Sequence, residues 1–177
     1  GMGTIDEVER AVAVLESSGT SKICILHCVA VYPPEIETLQ LNNILGLRDK
    51  FKNYPIGYSD HSTGIEMACA AVALGSCLIE KHFTLDKSRL GMDNQMATEP
   101  EEMLNLINSC KNIHSALGSQ ERNLSNVEFE QRVKKTQCFF SSSIKMGDLI
   151  TIEDLDLKRP GTGISPIDMK SLIKLMQ

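Results

Sequence analysis

Two short stretches of the chain decide its fold, YPIGYSDHS at 54–62 and CLIEKHFT at 77–84. Each is a short apolar run followed by a histidine, His61 in the first stretch and His82 in the second. The segment between them carries apolar residues at helical spacing, namely Ile65, Ala68, Cys69, Val72 and Ala73. A strand, a helix and a strand of this length predict a right-handed βαβ unit, in which the two strands are parallel neighbours.

The two histidines lie at the same end of these predicted strands. Neighbouring strands are about 4.8 Å apart, so residues that leave the same end can share one ligand. Asp60, Glu80 and Asp86 add carboxylates nearby. Imidazole and carboxylate groups together predict a divalent metal site at the strand ends. The alternative is that the histidines only take part in hydrogen bonds within their loops.

The wider chain reads as alternating strands and helices. An apolar run at 22–31 predicts a strand buried on both faces. Helical spacing of apolar residues predicts helices before this strand, between it and the next strand, over 64–74, and after His82. Strands that alternate with helices are typical of a parallel α/β architecture.

The composition changes after the last of these helices. Residues 120–135 are polar and charged, and they predict a linker. We therefore expect a first domain at 1–119, a linker at 120–137 and a small module at 138–177, with short strands at 138–140 and 148–152 and a turn at 160–163. Three strand–helix units cannot close a barrel, so we expect the chain to be the C-terminal section of a larger enzyme.

Bulk properties narrow the class of protein. The chain has 177 residues, 42% of them hydrophobic, with a formal net charge of −5, which argues against a broad nucleic-acid or anionic membrane surface. It has no apolar run near the ~20 residues that span a bilayer. Its six cysteines form no CxxC pair. We therefore expect a reduced, cytoplasmic protein that binds neither nucleic acid nor membrane.

Several motifs resemble those of the sialic acid synthase family, which includes the N-acetylneuraminate, legionaminate and pseudaminate synthases. They are LHCVAVYPP (26–34), GYSDHS (57–62), AAVALGS (70–76), IEKHFTLD (79–86), GMD (91–93) and KRPGTGISP (158–166). The resemblance implies an α/β fold, with the C-terminal part of a (β/α)₈ TIM barrel at 1–119 followed by the beginning of a small antifreeze-like (SAF) domain at 138–177. It also implies a domain-swapped homodimer.

The same resemblance implies a reaction. Members of this family condense phosphoenolpyruvate with N-acetylmannosamine or a related amino-sugar aldose, which gives a nine-carbon 2-keto sugar acid and phosphate. It implies that His61 and His82 bind a divalent cation, most simply Mn²⁺. A metal there would polarise the aldehyde of the sugar during carbon–carbon bond formation.

Four further residues receive roles from the resemblance. Glu80 contacts the sugar, which suits general acid/base work, and Ser59 helps to hold phosphoenolpyruvate. Asp93 binds sugar hydroxyls, and Tyr32 lines the substrate pocket. Strand alternation independently places Glu80 with His82, and Ser59 with His61, while Asp60 points to the other face.

Other interpretations stay open on the residues alone. The histidines could activate water in a metal-dependent barrel hydrolase, or the protein could bind carbohydrate without turnover. Ala30 stands where some N-acetylneuraminate synthases carry an asparagine, so the sugar is not fixed. We interpret His27 and His114 as structural, and Cys28 as lacking an activating base. The 177 residues alone are expected to be catalytically inactive.

Overall fold

The structure, a computed structural model, describes residues 1–132, 134–135, 137–140, 145–159 and 163–175. Two compact units are present, at 1–118 and 119–177. The first unit contains a three-stranded parallel sheet in the order β1-β2-β3, formed by β1 (Ile25–Cys28), β2 (Ile56–Asp60) and β3 (Ile79–Lys81). The parallel βαβ arrangement expected from the two histidine-bearing stretches is confirmed.

Four helices accompany these strands, two between them, one before β1 and one after β3. They are α1 (Ile5–Ser17), α2 (Asn43–Lys50), α3 (Glu66–Ala73) and α4 (Pro100–Leu117), with a 3₁₀ turn at Ile36–Thr38. The helix predicted over 64–74 corresponds to α3. Helix α1 begins with a capping box in which the Thr4 hydroxyl accepts a hydrogen bond from the Glu7 amide. Among the helices that the structure describes, none has both the length and the apolar content to cross a bilayer.

The core of the first unit lies between the sheet and the helices. Ile56 and Tyr58 of β2 pack there, and the remaining buried members of the cluster come from other elements: Val12, Ile25, Ile44, Leu47, Phe51 and Ala71. Because side chains alternate along a strand, Gly57 and Ser59 face the opposite side of the sheet. At the strand ends, one set of side chains therefore packs into the core, and the other set faces away from the core and is available to form a site.

The second unit differs from its prediction in two places. It contains α5 (Asn126–Arg132), α6 (Pro166–Leu175) and an antiparallel pair, β4 (Gln137–Phe140) with β5 (Leu155–Lys158). The predicted linker at 120–137 thus contains a helix. The strand expected at 148–152 is wrong, because a 3₁₀ turn at Ile152–Asp154 leads instead into β5. Residues 160–162 of the predicted turn lie outside the described residues.

Candidate active site

Three side chains form one row across the carboxyl end of the parallel sheet. Cys28 of β1 is in register with Ser59 of β2, and Ser59 is in register with Glu80 of β3. In-register residues of parallel neighbours lie side by side on one face of the sheet. The row is built from alternate positions of the strands, so it faces away from the helix-covered core.

The two histidines meet just beyond this row. His61 Nδ1 lies 3.0 Å from His82 Nε2, and the ring centroids are 5.0 Å apart. His61 follows β2 and is 8% exposed, while His82 follows β3 and is half-buried. The sequence prediction that the histidines converge is confirmed.

The other nitrogen of His61 faces the row. Its Nε2 lies 3.2 Å from Ser59 Oγ and 3.5 Å from Cys28 Sγ. The Ser59 hydroxyl in turn donates to Glu80 Oε1 at 2.7 Å. Glu80 remains exposed, so its carboxylate is tied to the protein through Ser59 and is open to a ligand. Cys28 was not expected here, and its signal is the parallel register that places it opposite Ser59.

The opposite face of the strand ends carries a buried ion pair. Lys81 Nζ lies 2.8 Å from Asp60 Oδ2, and the two side chains are 2% and 0% exposed. Asp60 Oδ1 also accepts from the Ser62 amide at 2.9 Å and from the Ser62 hydroxyl at 2.7 Å. The pair holds the turn between Ser59 and His61 on one strand end and the chain between Glu80 and His82 on the other.

Two residues from neighbouring loops complete the cluster. The ring of Tyr32 stands edge-on to His61 with a centroid distance of 4.4 Å, and 5.8 Å separates it from His82. Asp93 Oδ2 lies 3.9 Å from His82 Nδ1. A cleft of about 200 Å³ opens between the strand ends, lined by Ser59, His61, Glu80, Lys81 and His82.

The electrostatics favour a neutral His61. Burial lowers the pKa of its imidazole below the ordinary value, and the neighbouring His82 lowers it further. A neutral imidazole is the form that binds metals. Asp60 and Glu80 act in the opposite direction but do not reverse the shift.

The histidine pair fits a divalent cation as two of its ligands. Two nitrogens bound to one ion at about 2.1 Å and at a right angle are roughly 3 Å apart. The His61 and His82 nitrogens have this spacing already. In the described part of the chain, no three or more His, Cys, Asp or Glu side chains are arranged as a metal site, so the described residues would supply the two imidazoles as ligands.

The structure assigns other roles to some candidates. Asp60 faces the ion pair, as the strand alternation predicts, and Asp86 accepts from Ser88 within its own loop. The expected cluster of three carboxylates therefore reduces to Glu80 beside the histidines. His27 is buried and its Nε2 donates to the Leu39 carbonyl at 2.7 Å, which is a structural role.

Comparisons with known proteins identify relatives that match nearly the whole of this chain. The family model described as the NeuB family matches residues 1–122. The N,N'-diacetyllegionaminic acid synthase of Legionella pneumophila is 37% identical over 179 residues, which cover 98% of this chain and 50% of that protein. The N-acetylneuraminate-9-phosphate synthase of Homo sapiens is 32% identical over 175 residues, which cover 98% of this chain and 48% of that protein.

A solved structure shares the fold. It is the N-acetylneuraminic acid (sialic acid) synthetase from Leptospira borgpetersenii in complex with citrate, with a TM-score of 0.68 and 36% identity over 75% of this chain and 46% of that one. The chain spans about half the length of the curated relatives it matches.

Proposed function

The chain belongs to the NeuB family, and we propose that the protein condenses phosphoenolpyruvate with an amino-sugar aldose to give a 2-keto sugar acid and phosphate. Relatives named as legionaminic, pseudaminic and N-acetylneuraminate synthases support this reaction class. The observation that carries the proposal is the convergence of His61, His82, Glu80 and Ser59 at one strand edge, around a cleft.

The histidine pair is the proposed metal site. His61 Nδ1 and His82 Nε2 would hold a divalent cation, for which we propose Mn²⁺. When bound, such a cation polarises the aldehyde oxygen of the open-chain sugar and stabilises the negative charge that develops there. Asp60 and Lys81 contribute by fixing both strand ends from the opposite face, so the two nitrogens keep their spacing.

Glu80 is the proposed acid/base residue. Its carboxylate is exposed at the cleft and held by the hydroxyl of Ser59. A carboxylate so placed can accept a proton from the water that adds to C2 of phosphoenolpyruvate, once C3 has bonded to the sugar and before phosphate leaves C2, or it can hold a hydroxyl of the sugar. Its position close to both substrates would supply its share of the acceleration.

Tyr32 and Asp93 border the site on two sides. The Tyr32 ring stands at a steep angle to both imidazoles and is itself about half exposed, so it is open to a ligand in the cleft. Asp93 is partly exposed beyond His82, within reach of sugar hydroxyls. We propose both as substrate contacts, and Ser59 as a contact for phosphoenolpyruvate.

Phosphate release tests the proposal. The protein at its natural length is given phosphoenolpyruvate, Mn²⁺ and one of several aldoses, namely N-acetylmannosamine, its 6-phosphate or a 2,4-diacetamido-trideoxy hexose. We expect release with one class of sugar, lost in His61→Ala and His82→Ala and retained in His114→Ala, an exposed histidine on α4. Release without any sugar would favour a metal-dependent hydrolase, and saturable sugar binding without release would favour a carbohydrate-binding protein.

A further inference from the structure

Ser59 lies between the two groups to which the proposed function gives chemical roles. Its Oγ is 2.7 Å from Glu80 Oε1 on one side and 3.2 Å from His61 Nε2 on the other. Ser59 is 5% exposed, so solvent does not compete freely for these contacts. The direction of the two hydrogen bonds follows from what each group is able to donate.

An ionised carboxylate can only accept hydrogen bonds. The single hydroxyl proton of Ser59 therefore points to Glu80, and toward His61 the serine oxygen offers only lone pairs. The imidazole must then donate from Nε2–H. Cys28 Sγ, 3.5 Å from the same nitrogen, is a weaker second acceptor at this position.

This direction fixes the tautomer of His61. A neutral imidazole carries one proton, so a proton on Nε2 leaves a lone pair on Nδ1. Nδ1 is the nitrogen that lies 3.0 Å from His82 Nε2, in the proposed metal site. The hydrogen bonds that link His61 to Ser59 and Ser59 to Glu80 therefore leave His61 Nδ1 unprotonated and able to bind the cation.

We infer that Ser59 is a positioning residue, which accepts a hydrogen bond from His61 Nε2 and donates one to Glu80. These two hydrogen bonds hold His61 in the tautomer that binds the metal through Nδ1. The inference rests on the proposed function for its metal and adds a role for Ser59 that substrate binding alone does not require. Metal-bound histidines commonly donate their second N–H to a carboxylate or another acceptor, and loss of that acceptor costs 10–100-fold in metal affinity.

Two measurements test this inference without turnover. The first is long-range ¹⁵N–¹H NMR of the metal-free protein at its natural length, with its histidines labelled. We expect His61 protonated on Nε2 in the wild type and a mixture of tautomers in Ser59→Ala. The second is the Mn²⁺ affinity from the EPR signal of the free ion, which we expect to be about tenfold weaker or more in Ser59→Ala.

Matched variants separate this role from packing. Ser59→Thr retains the hydroxyl and is expected to restore the tautomer and most of the affinity. Ser76→Ala removes another buried serine hydroxyl, which donates to the Leu78 carbonyl away from the histidines, and is expected to change neither quantity.

The inference would be overturned by a wild-type His61 protonated on Nδ1, or by a Ser59→Ala protein that binds Mn²⁺ as tightly as the wild type. Phosphate release by the wild type at its natural length is measured alongside. If release occurs while Ser59→Ala leaves affinity and tautomer unchanged, the positioning role fails and the synthase proposal stands. If affinity and tautomer change as expected but no sugar supports release, the positioning role stands and the synthase proposal fails.

Discussion

Replacing Asp60 by asparagine tests the buried ion pair on which the candidate site is built. In the wild type the Lys81 ammonium is 2.8 Å from Asp60 Oδ2 and 2.7 Å from the Ser62 carbonyl, with its side chain 2% exposed. In Asp60→Asn the carboxamide oxygen can still accept from Ser62, but the charge that balances Lys81 is gone. The amide nitrogen also presents hydrogens toward an ammonium that has only hydrogens to offer.

Loss of one partner of a buried pair costs about 3–5 kcal/mol, because it leaves an uncompensated charge in the interior. We expect a loss of this size in the free energy of unfolding of Asp60→Asn. Adding Lys81→Met removes the unpaired ammonium. The double variant should therefore be more stable than Asp60→Asn alone, with a coupling free energy of about 1–3 kcal/mol.

Urea unfolding at constant m-value measures both quantities. The matched control is Glu9→Gln, which breaks a lysine–carboxylate pair of similar length on the surface. In that pair Glu9 Oε1 lies 2.6 Å from Lys50 Nζ, and the Glu9 and Lys50 side chains are 45% and 49% exposed. We expect this control to shift the midpoint little, since exposed pairs are screened by solvent. If Asp60→Asn unfolds at the same midpoint as Glu9→Gln, or if Lys81→Met fails to restore stability, the reasoning from burial is refuted.

Three further predictions concern other parts of the chain. Gly57→Ala should lower the stability by about 1–3 kcal/mol in urea unfolding, because an added Cβ would lie 2.8 Å from the Leu78 carbonyl oxygen; a neutral result would contradict the close approach. In α5, hydrogen bonds from the preceding turn lower the pKa of Glu128 to about 2. Arg122→Gln should raise the titration midpoint of the Glu128 carboxyl, followed by ¹³C NMR, and an unchanged midpoint would count against the Arg122 contact. Folding lowers the pKa of His61, so as the pH falls the imidazole takes up a proton in the unfolded chain before it does so in the folded one. The free energy of unfolding should therefore decrease as the pH falls below about 6.5. A titration midpoint of His61 above that value, measured by NMR in the folded protein, would contradict this.

The sequence-based prediction succeeded where a pattern was local and periodic. The apolar runs before His61 and His82, with one amphipathic helix between them, were enough to predict parallel neighbours and the meeting of the two rings. The orientation of Asp60 away from the cleft also follows from the strand period alone. These features depend on residues close together in the chain.

The prediction failed where the result depends on pairing across the fold. Cys28 contacts His61 because β1 and β2 pair in one particular register, which no motif in either strand specifies. Lys81 reads as a surface residue until Asp60 is placed in register with it. In the second unit, β5 forms at 155–158 and not at 148–152, because a short strand is selected by its partner more than by its own composition.

We propose that the protein joins phosphoenolpyruvate to a sugar through a new carbon–carbon bond. The most direct test is ¹³C NMR of the product formed by the protein at its natural length from [3-¹³C]phosphoenolpyruvate, Mn²⁺ and a [1-¹³C] amino-sugar aldose. We expect a one-bond coupling between the two labelled carbons, one phosphate released for each coupled product, and loss of both in His61→Ala. Phosphate that appears with pyruvate and no coupled product would contradict it.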